Sequence, residues 1–563
     1  MGSQFDLQFH QSQLFKTQGE PMSEIEQAKS EVTKSGLSRR HFIQAAVAAG
    51  VAVPLSQMLG GCSSSSESDK TVFRVASQEQ EGPAAPWMSK GGSLGILNAV
   101  GAWLIDVSPE GILEPSIATK WEGTDAGKTW TFTIRTDVKF HDGSPLTADD
   151  VVYTIQSHLN PDNKSQSAGR LGDCTSEGIV KVDEKTIRFD LAKVNANFPF
   201  AVASSNYGLL IMKNGEKGDE SWITKMNGAG PWIMVSHTIN EKTVFKRNPD
   251  YFNKKRIPKF ETMEQIQYVS TSAAIPALKT GELDSIHLLN GLEADSLPES
   301  EFYKTTVATC GGLHMHMRCD IGQLTDKRVR EAIALTLDRQ AYIDGVMGGY
   351  ALIANDSVMD SFPTADKSVP QRKKDIARAK ELLAEAGVPN GFKVTLQSWK
   401  RDDIDNFTQF VKSSCKEVGI DVTVDLDGSD GGGARWYAYS VYPSVKGSKV
   451  PNKGEWLASE FGIAEWAGRP TPDEYLAREW FSSGDWNPAY LDAPELDEAI
   501  IAWQSALTEK DKKKASSAIQ KASLLHTPII VVYNETRVSV TSNKVKGVEF
   551  NQQGAVWSTG KNA

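Results

Sequence analysis

Cysteine is scarce in this chain, with 5 in 563 residues. Cys62 aside, Cys174, Cys310, Cys319 and Cys415 are too few for a disulfide framework. Their spacings match no C-x2-C zinc pattern. They read as small buried residues, with one disulfide left open in an oxidising compartment. Also missing are HExxH, GxSxG, a phosphate-binding P-loop and GxGxxG. No catalytic residue, metal ligand or cofactor is therefore assigned, and the chain is not read as an enzyme. There is no basic excess: Lys+Arg is 61 against Asp+Glu 71, a net charge of −10. A nucleic-acid binder would carry a basic footprint. After residue 62 no stretch approaches the roughly 18 apolar residues of a membrane helix. No 20–50-residue repeat is present.

Tryptophan, by contrast, is plentiful. Of 14 rings, seven fall between Trp399 and Trp503. Composition alone does not divide them between core and ligand surface. At 563 residues the chain also exceeds a single folding unit.

The N-terminal segment reads as an address. Ser38-Arg39-Arg40-His41-Phe42-Ile43-Gln44 resembles the twin-arginine export motif. The apolar stretch Ala45–Leu55 is too short to span a bilayer and fits a signal h-region. Leu59-Gly60-Gly61-Cys62 resembles a lipobox, with Cys62 the acylated residue. The expected division is a signal over 1–61, with Met22 an alternative start, and a Ser-rich tether over 62–70. The mature protein would then be held at the membrane by lipid.

Beyond the tether both helical and strand periods occur. Thr129–Arg135 alternates as a half-buried strand does. His141-Asp142-Gly143 is a turn, and Thr147 with Asp149 and Asp150 reads as a helix start. Ile376–Ala386 predicts a helix stopped by Gly387. A strand at 393–397, a helix at 407–418 and a strand at 420–426 follow. Helices over 494–507 and 510–525 precede a strand at 529–533. This alternation means a helix-covered, parallel or mixed sheet.

Several blocks, in order, carry a family resemblance. Leu113–Glu122 and Lys139–Val151 are similar to "L-x-P-x-L-A-x-x-W-E … K-F-H-D-G-x-P-x-T-A-x-D-V". Gly228–Trp232, Arg247–Phe252, Leu278–Asp284, Asp326–Arg339 and Ala379–Val394 continue the series. From about residue 71 onward the chain resembles the family 5 extracellular solute-binding proteins. These are the receptor subunits of ABC importers for dipeptides, oligopeptides, nickel and related solutes. The resemblance implies an α/β, two-lobed periplasmic-binding-protein-like clamp (type II, large cluster C form with an extra subdomain in the first lobe). It implies a discontinuous lobe I at 71–313 plus 525–563 and a lobe II at 314–524. The implied partners are a peptide or small-molecule ligand, ABC permease subunits and their ATPase, and the membrane through Cys62. No nucleic acid is implied. The location would be periplasmic or cell-surface, and the state monomeric. A sensory role on the same clamp, or a secreted cofactor-bearing enzyme, are the competing classes.

Clamp ligands bind at strand ends and the loops after them. Two such loops hold aromatic and cationic residues together: Trp399 with Arg401, and Trp466 with Gly468 and Arg469. In peptide-binding relatives the second loop reads Trp-x-x-Asp, and the Asp pairs with the ligand's α-ammonium. Here Arg469 stands in that frame. A guanidinium suits a carboxylate, phosphate or sugar hydroxyl, unless Arg469 turns outward or pairs with Glu465 or Asp473. Arg469 therefore leaves open an anionic, non-peptide solute such as a sugar acid, an opine or an oligosaccharide. Trp436 and Tyr437, just after Gly431–Gly433, are further candidates. Trp87 and Trp103 are candidates for the opposite wall. Trp480, Trp486 and Trp503 read as core. His314 and His316 alternate on a strand near Cys310 and Cys319, where packing is favoured over a metal.

Overall fold

The computed structural model describes residues 72–558, except 81, 89–92, 290, 429–454, 467, 470, 485 and 551–555. The export segment, Cys62, Trp436 and Tyr437 lie outside the described residues.

Two large sheets organise the chain. The first has eight strands. Val72–Gln78 runs at its centre, parallel to Thr262–Tyr268 on one side and to Ser285–Leu289 on the other. Lys242–Arg247 and Trp232–Thr238 extend it one way. Tyr533–Ser542 and Phe302–Ala308 extend it the other way, and the eighth strand, Ala351–Ile353, pairs with Tyr533–Ser542 off this path. The second sheet has five strands in the order Asp421–Asp427, Lys393–Trp399, Phe461–Trp466, Gly312–Met317, Ile529–Val531. Each sheet is the centre of a lobe. The chain passes from first to second after Ala308, entering at Gly312. It returns between Val531 and Tyr533. The two crossings are bonded together: Thr309 N donates to Glu535 O at 2.8 Å, and Glu535 N to Gly311 O at 2.9 Å. The apolar run expected as one strand over 529–533 is thus split at Val532 between two sheets.

An antiparallel sheet of four strands, Ala118–Thr124, Thr129–Ile134, Thr186–Asp190 and Ile179–Asp183, is the extra subdomain of the first lobe. Its core joins Trp130, Phe132, Phe189 and Phe198. In the second lobe, strand alternation feeds two cores. Phe461 and Ile463 face one with Leu313 and Met315, while Ala464 and Trp466 face the other. The period-2 geometry of a central strand requires this division.

The family blocks are structural. Asp150 accepts hydrogen bonds from Thr147 N and Oγ1, each at 2.7 Å, fixing the start of the helix Ala148–Leu159. A Cβ on Gly228 would sit 1.9 Å from Val100 O, and one on Gly230 would sit 2.4 Å from Gly101 O. Only glycine lets the backbones approach this closely. His141 belongs to the same contact, its N donating to Gly228 O at 2.8 Å and its Nε2 lying 3.1 Å from Gly230 O. Gly387 follows the helix Ile376–Glu385 with φ 82°, the left-handed stop expected there. Among the described residues no helix is long and apolar enough to cross a membrane.

Candidate functional site

Trp466 ends its strand rather than opening a loop. Only 5% of it is exposed. Its ring centroid lies 5.2 Å from Tyr475, 5.6 Å from Trp486 and 5.8 Å from His314, the last nearly parallel at 26°. His314 Nδ1 is in turn 2.9 Å from Glu479 Oε1, and Trp480 Nε1 donates to Glu479 Oε2 at 3.0 Å. His316 goes elsewhere, its Nε2 meeting Ser459 Oγ at 2.8 Å. The two alternating histidines therefore have separate packing partners. Cys174, Cys310, Cys319 and Cys415 are all free thiols.

After Trp466 the chain is pinned to the crossover. Cys310 Sγ donates to Arg469 O at 2.7 Å and accepts from Arg469 N at 2.9 Å. Burial pushes this thiol's pKa up, so it stays protonated. A Cβ on Gly468 would come within 3.1 Å of Thr309 Cβ, so the loop lies against the crossing strand. Arg469 then reaches forward and pairs with Glu474, Nε to Oε2 at 2.6 Å. Neither acidic residue named from sequence takes it. Glu465 is held by Arg401 at 2.5 Å, and Asp473 accepts from Asn197 Nδ2 at 2.9 Å and Trp503 Nε1 at 3.2 Å. Burial raises the Asp473 pKa, against the stabilising Asn197 bond.

In front of Arg469 is a cavity of about 660 Å³ between the lobes. The second lobe contributes Arg469, Asp473, Glu474 and Arg478, and the first contributes Arg170, Asp173, Lys193 and Asn197. Charges of both signs therefore face it. Arg170 sits over the Tyr207 ring at 5.0 Å and donates to Ser205 O. Arg478 stacks on Trp486 at 3.1 Å. A cavity of this size accommodates a small peptide or a comparable polar solute.

The aromatic expectations need correction. Trp103 is 1% exposed and donates Nε1 to Asn206 O at 3.2 Å, and Trp87 is 7% exposed against Gly218. Both belong to the first lobe's core and not to a wall. Trp399 is half-buried at the end of its strand, with the Arg401 guanidinium 4.8 Å from its ring centroid. Arg401 is saturated by Asp403 and Glu465. The helix expected from 407 begins at Asp402, because Asp402, Asp403 and Asp405 suit its positive first turn. Of the candidates, Arg469 faces the cavity. Trp466 and Gly468 set the loop behind it. Arg170, Tyr207 and Asn197 carried no sequence signal: Arg170 lies in the helix Ala168–Leu171, Tyr207 in the 3-10 helix Tyr207–Leu209 and Asn197 just before the helix Phe198–Ala201, each too short to show a period. Asp473-Glu474, four and five residues beyond Arg469, was the readable clue to its partner.

The model of the bacterial extracellular solute-binding proteins, family 5, matches residues 113–488, more than half of the chain. The chain belongs to this family. Oligopeptide-binding protein OppA of Bacillus subtilis (strain 168) is 25% identical over 508 residues, covering 82% of this chain and 87% of OppA. Di/tripeptide-binding protein 1 of Pseudomonas aeruginosa (strain UCBPP-PA14) is 29% identical over 309 residues. That match spans 50% of this chain and only 56% of the relative's length. Among solved structures, the unliganded open form of the periplasmic murein tripeptide-binding protein MppA aligns with a TM-score of 0.74. It has 20% identity and covers 88% of this chain and 98% of its own. The family's two-lobed clamp is thus the fold of this chain, and its named relatives are binding proteins.

Proposed function

We propose that this protein captures a peptide or related small polar solute outside the cytoplasmic membrane and delivers it to an ABC permease and its ATPase. The observation that carries the reading is the mixed-charge cavity between the lobes, walled by Arg469–Glu474 on one side and Arg170, Asp173 and Lys193 on the other. The relatives named for peptides favour the same solute class. Arg469 shares its charge with Glu474, which favours a zwitterionic ligand over a purely anionic one. The reading includes lobe I at 71–313 plus 525–563, lobe II at 314–524, twin-arginine export, a lipid on Cys62, and a monomeric receptor.

Titrating the purified chain with dipeptides, tripeptides and sugar acids, followed by tryptophan fluorescence, tests it. Trp486 and Trp466 sit behind the cavity wall and report its occupation. A peptide should bind, and Arg469→Ala should weaken it by about tenfold, the effect of losing one buried charge-assisted contact. Binding of sugar acids alone would shift the reading to an anionic solute. Equal binding by Arg469→Ala would remove Arg469 from the site.

A further inference from the structure

A second cavity, of about 560 Å³, adjoins the crossover strands and carries a different chemistry. Tyr533 and Glu535 reach it from the returning strand, Tyr342 from the helix Arg339–Val346, and Asp402 and Asp403 from the start of the helix Asp402–Lys416. Its charge is unbalanced. Arg401 is shared between Asp403 (2.5 Å) and Glu465 (2.5 Å). Glu535 has no ion pair among the described residues, and Arg537 is the other cation acting on it. Asp402, Asp403 and Glu535 line the cavity, and among the described residues no cationic side chain lines it.

The tyrosines give an independent observation. Tyr342 is 3% exposed and Tyr533 is 2% exposed. Their rings stack with centroids 5.7 Å apart and planes at 22°. Both line the cavity, and neither hydroxyl is among the buried polar atoms left without a partner, so both oxygens open into it. Here the oxygen that could accept, the carboxylates in excess and the π faces all favour the same guest, a desolvated cation with N–H donors. A metal ion is the poorer fit. Among the described residues no group of three His, Cys, Asp or Glu side chains is arranged to hold one.

We propose that this cavity binds an organic cation, a primary ammonium or guanidinium group, held by Glu535, Asp403 and the Tyr342–Tyr533 pair. The cation belongs either to a free amine or to a basic side chain of a longer solute. Calorimetric titration of the full chain with butylguanidine and with its uncharged analogue butylurea tests the chemistry. Trilysine separates the two sources. Butylguanidine should bind and butylurea should not. Glu535→Gln and Tyr533→Phe should each weaken butylguanidine by about fivefold or more, while Arg469→Ala leaves it unchanged. Trilysine binding at least about tenfold tighter, with the same loss in Glu535→Gln, assigns the cation to a peptide; equal affinity assigns it to a free amine. If Glu535→Gln does not fold, Asp402→Asn, on an exposed position, should weaken butylguanidine by about twofold at low salt. Equal binding of the two analogues, no binding of butylguanidine at about 10 mM, or unchanged affinity in both acidic variants overturns the proposal. None of these outcomes depends on the peptide reading, because butylguanidine needs no contact with the Arg469 cavity.

Discussion

His158, His287 and His316 are buried, each with one serine hydroxyl as partner: Ser165 at 2.6 Å, Ser539 at 2.7 Å and Ser459 at 2.8 Å. Burial pushes each pKa from 6.5 down to about 3. The unfolded chain therefore takes up these protons first, and stability drains as pH falls from 6.5 towards 3. Asp106 and Asp360 work the other way. Burial raises both from 3.8 to about 6, so the folded chain protonates first and gains stability between 6 and 3.8. Each group carries roughly 1.4 kcal/mol per pH unit inside its window. Between pH 6 and 3.8 these three losses meet these two gains; His141 and His237, lowered by burial, add to the losses, Asp473 and Glu535, raised by burial, add to the gains, and below 3.8 the losses dominate. The thermal midpoint should fall gently over the first interval and steeply below it. A loss concentrated between pH 6 and 5 would contradict this balance.

At the scale of elements, the strand Phe461–Trp466 shows what was legible in sequence and what was not. Its apolar run and the helix–strand alternation before it were readable, because period and turn residues act locally. So were the capped helix at Thr147 and the stop at Gly387. Where the run meets other elements was not readable. Trp466 belongs to an aromatic cluster because Tyr475, Trp486 and His314 arrive from three separate segments. Trp103 is buried in the first lobe's core for the same reason, since Asn206, about a hundred residues on, supplies its partner. Gly462 is the sharpest instance. A Cβ there would lie 2.4 Å from both His316 Cε1 and Ser459 Oγ, a clash invisible along the chain. Gly462→Ala should destabilise the second lobe by about 1–3 kcal/mol, lowering its unfolding midpoint by about 2–4 °C per kcal/mol. An unchanged midpoint in differential scanning calorimetry would show that strand and histidine separate freely.

For the whole molecule, function depends on how firmly the lobes hold each other without ligand. Besides the crossover strands, they meet where the Tyr350 hydroxyl of the second lobe donates to Asp295 Oδ1 of the first, and at the cavity rim. Asn197 Nδ2 donates to Asp473 Oδ1 at 2.9 Å, and Ala196 N donates to Gln504 O at 2.7 Å. Each such bond contributes about 0.5–1.5 kcal/mol net, so the rim pair adds only a few kcal/mol to closure. Removing one bond should then be visible in shape. Asn197→Ala should shift the closed-to-open ratio about fivefold towards open, as 1 kcal/mol does. The ligand-free radius of gyration in small-angle scattering should rise, and saturating peptide should return it to the wild-type bound value. An unchanged ligand-free radius would mean that the crossover strands alone set the angle between the lobes, and that the rim contact follows closure without driving it.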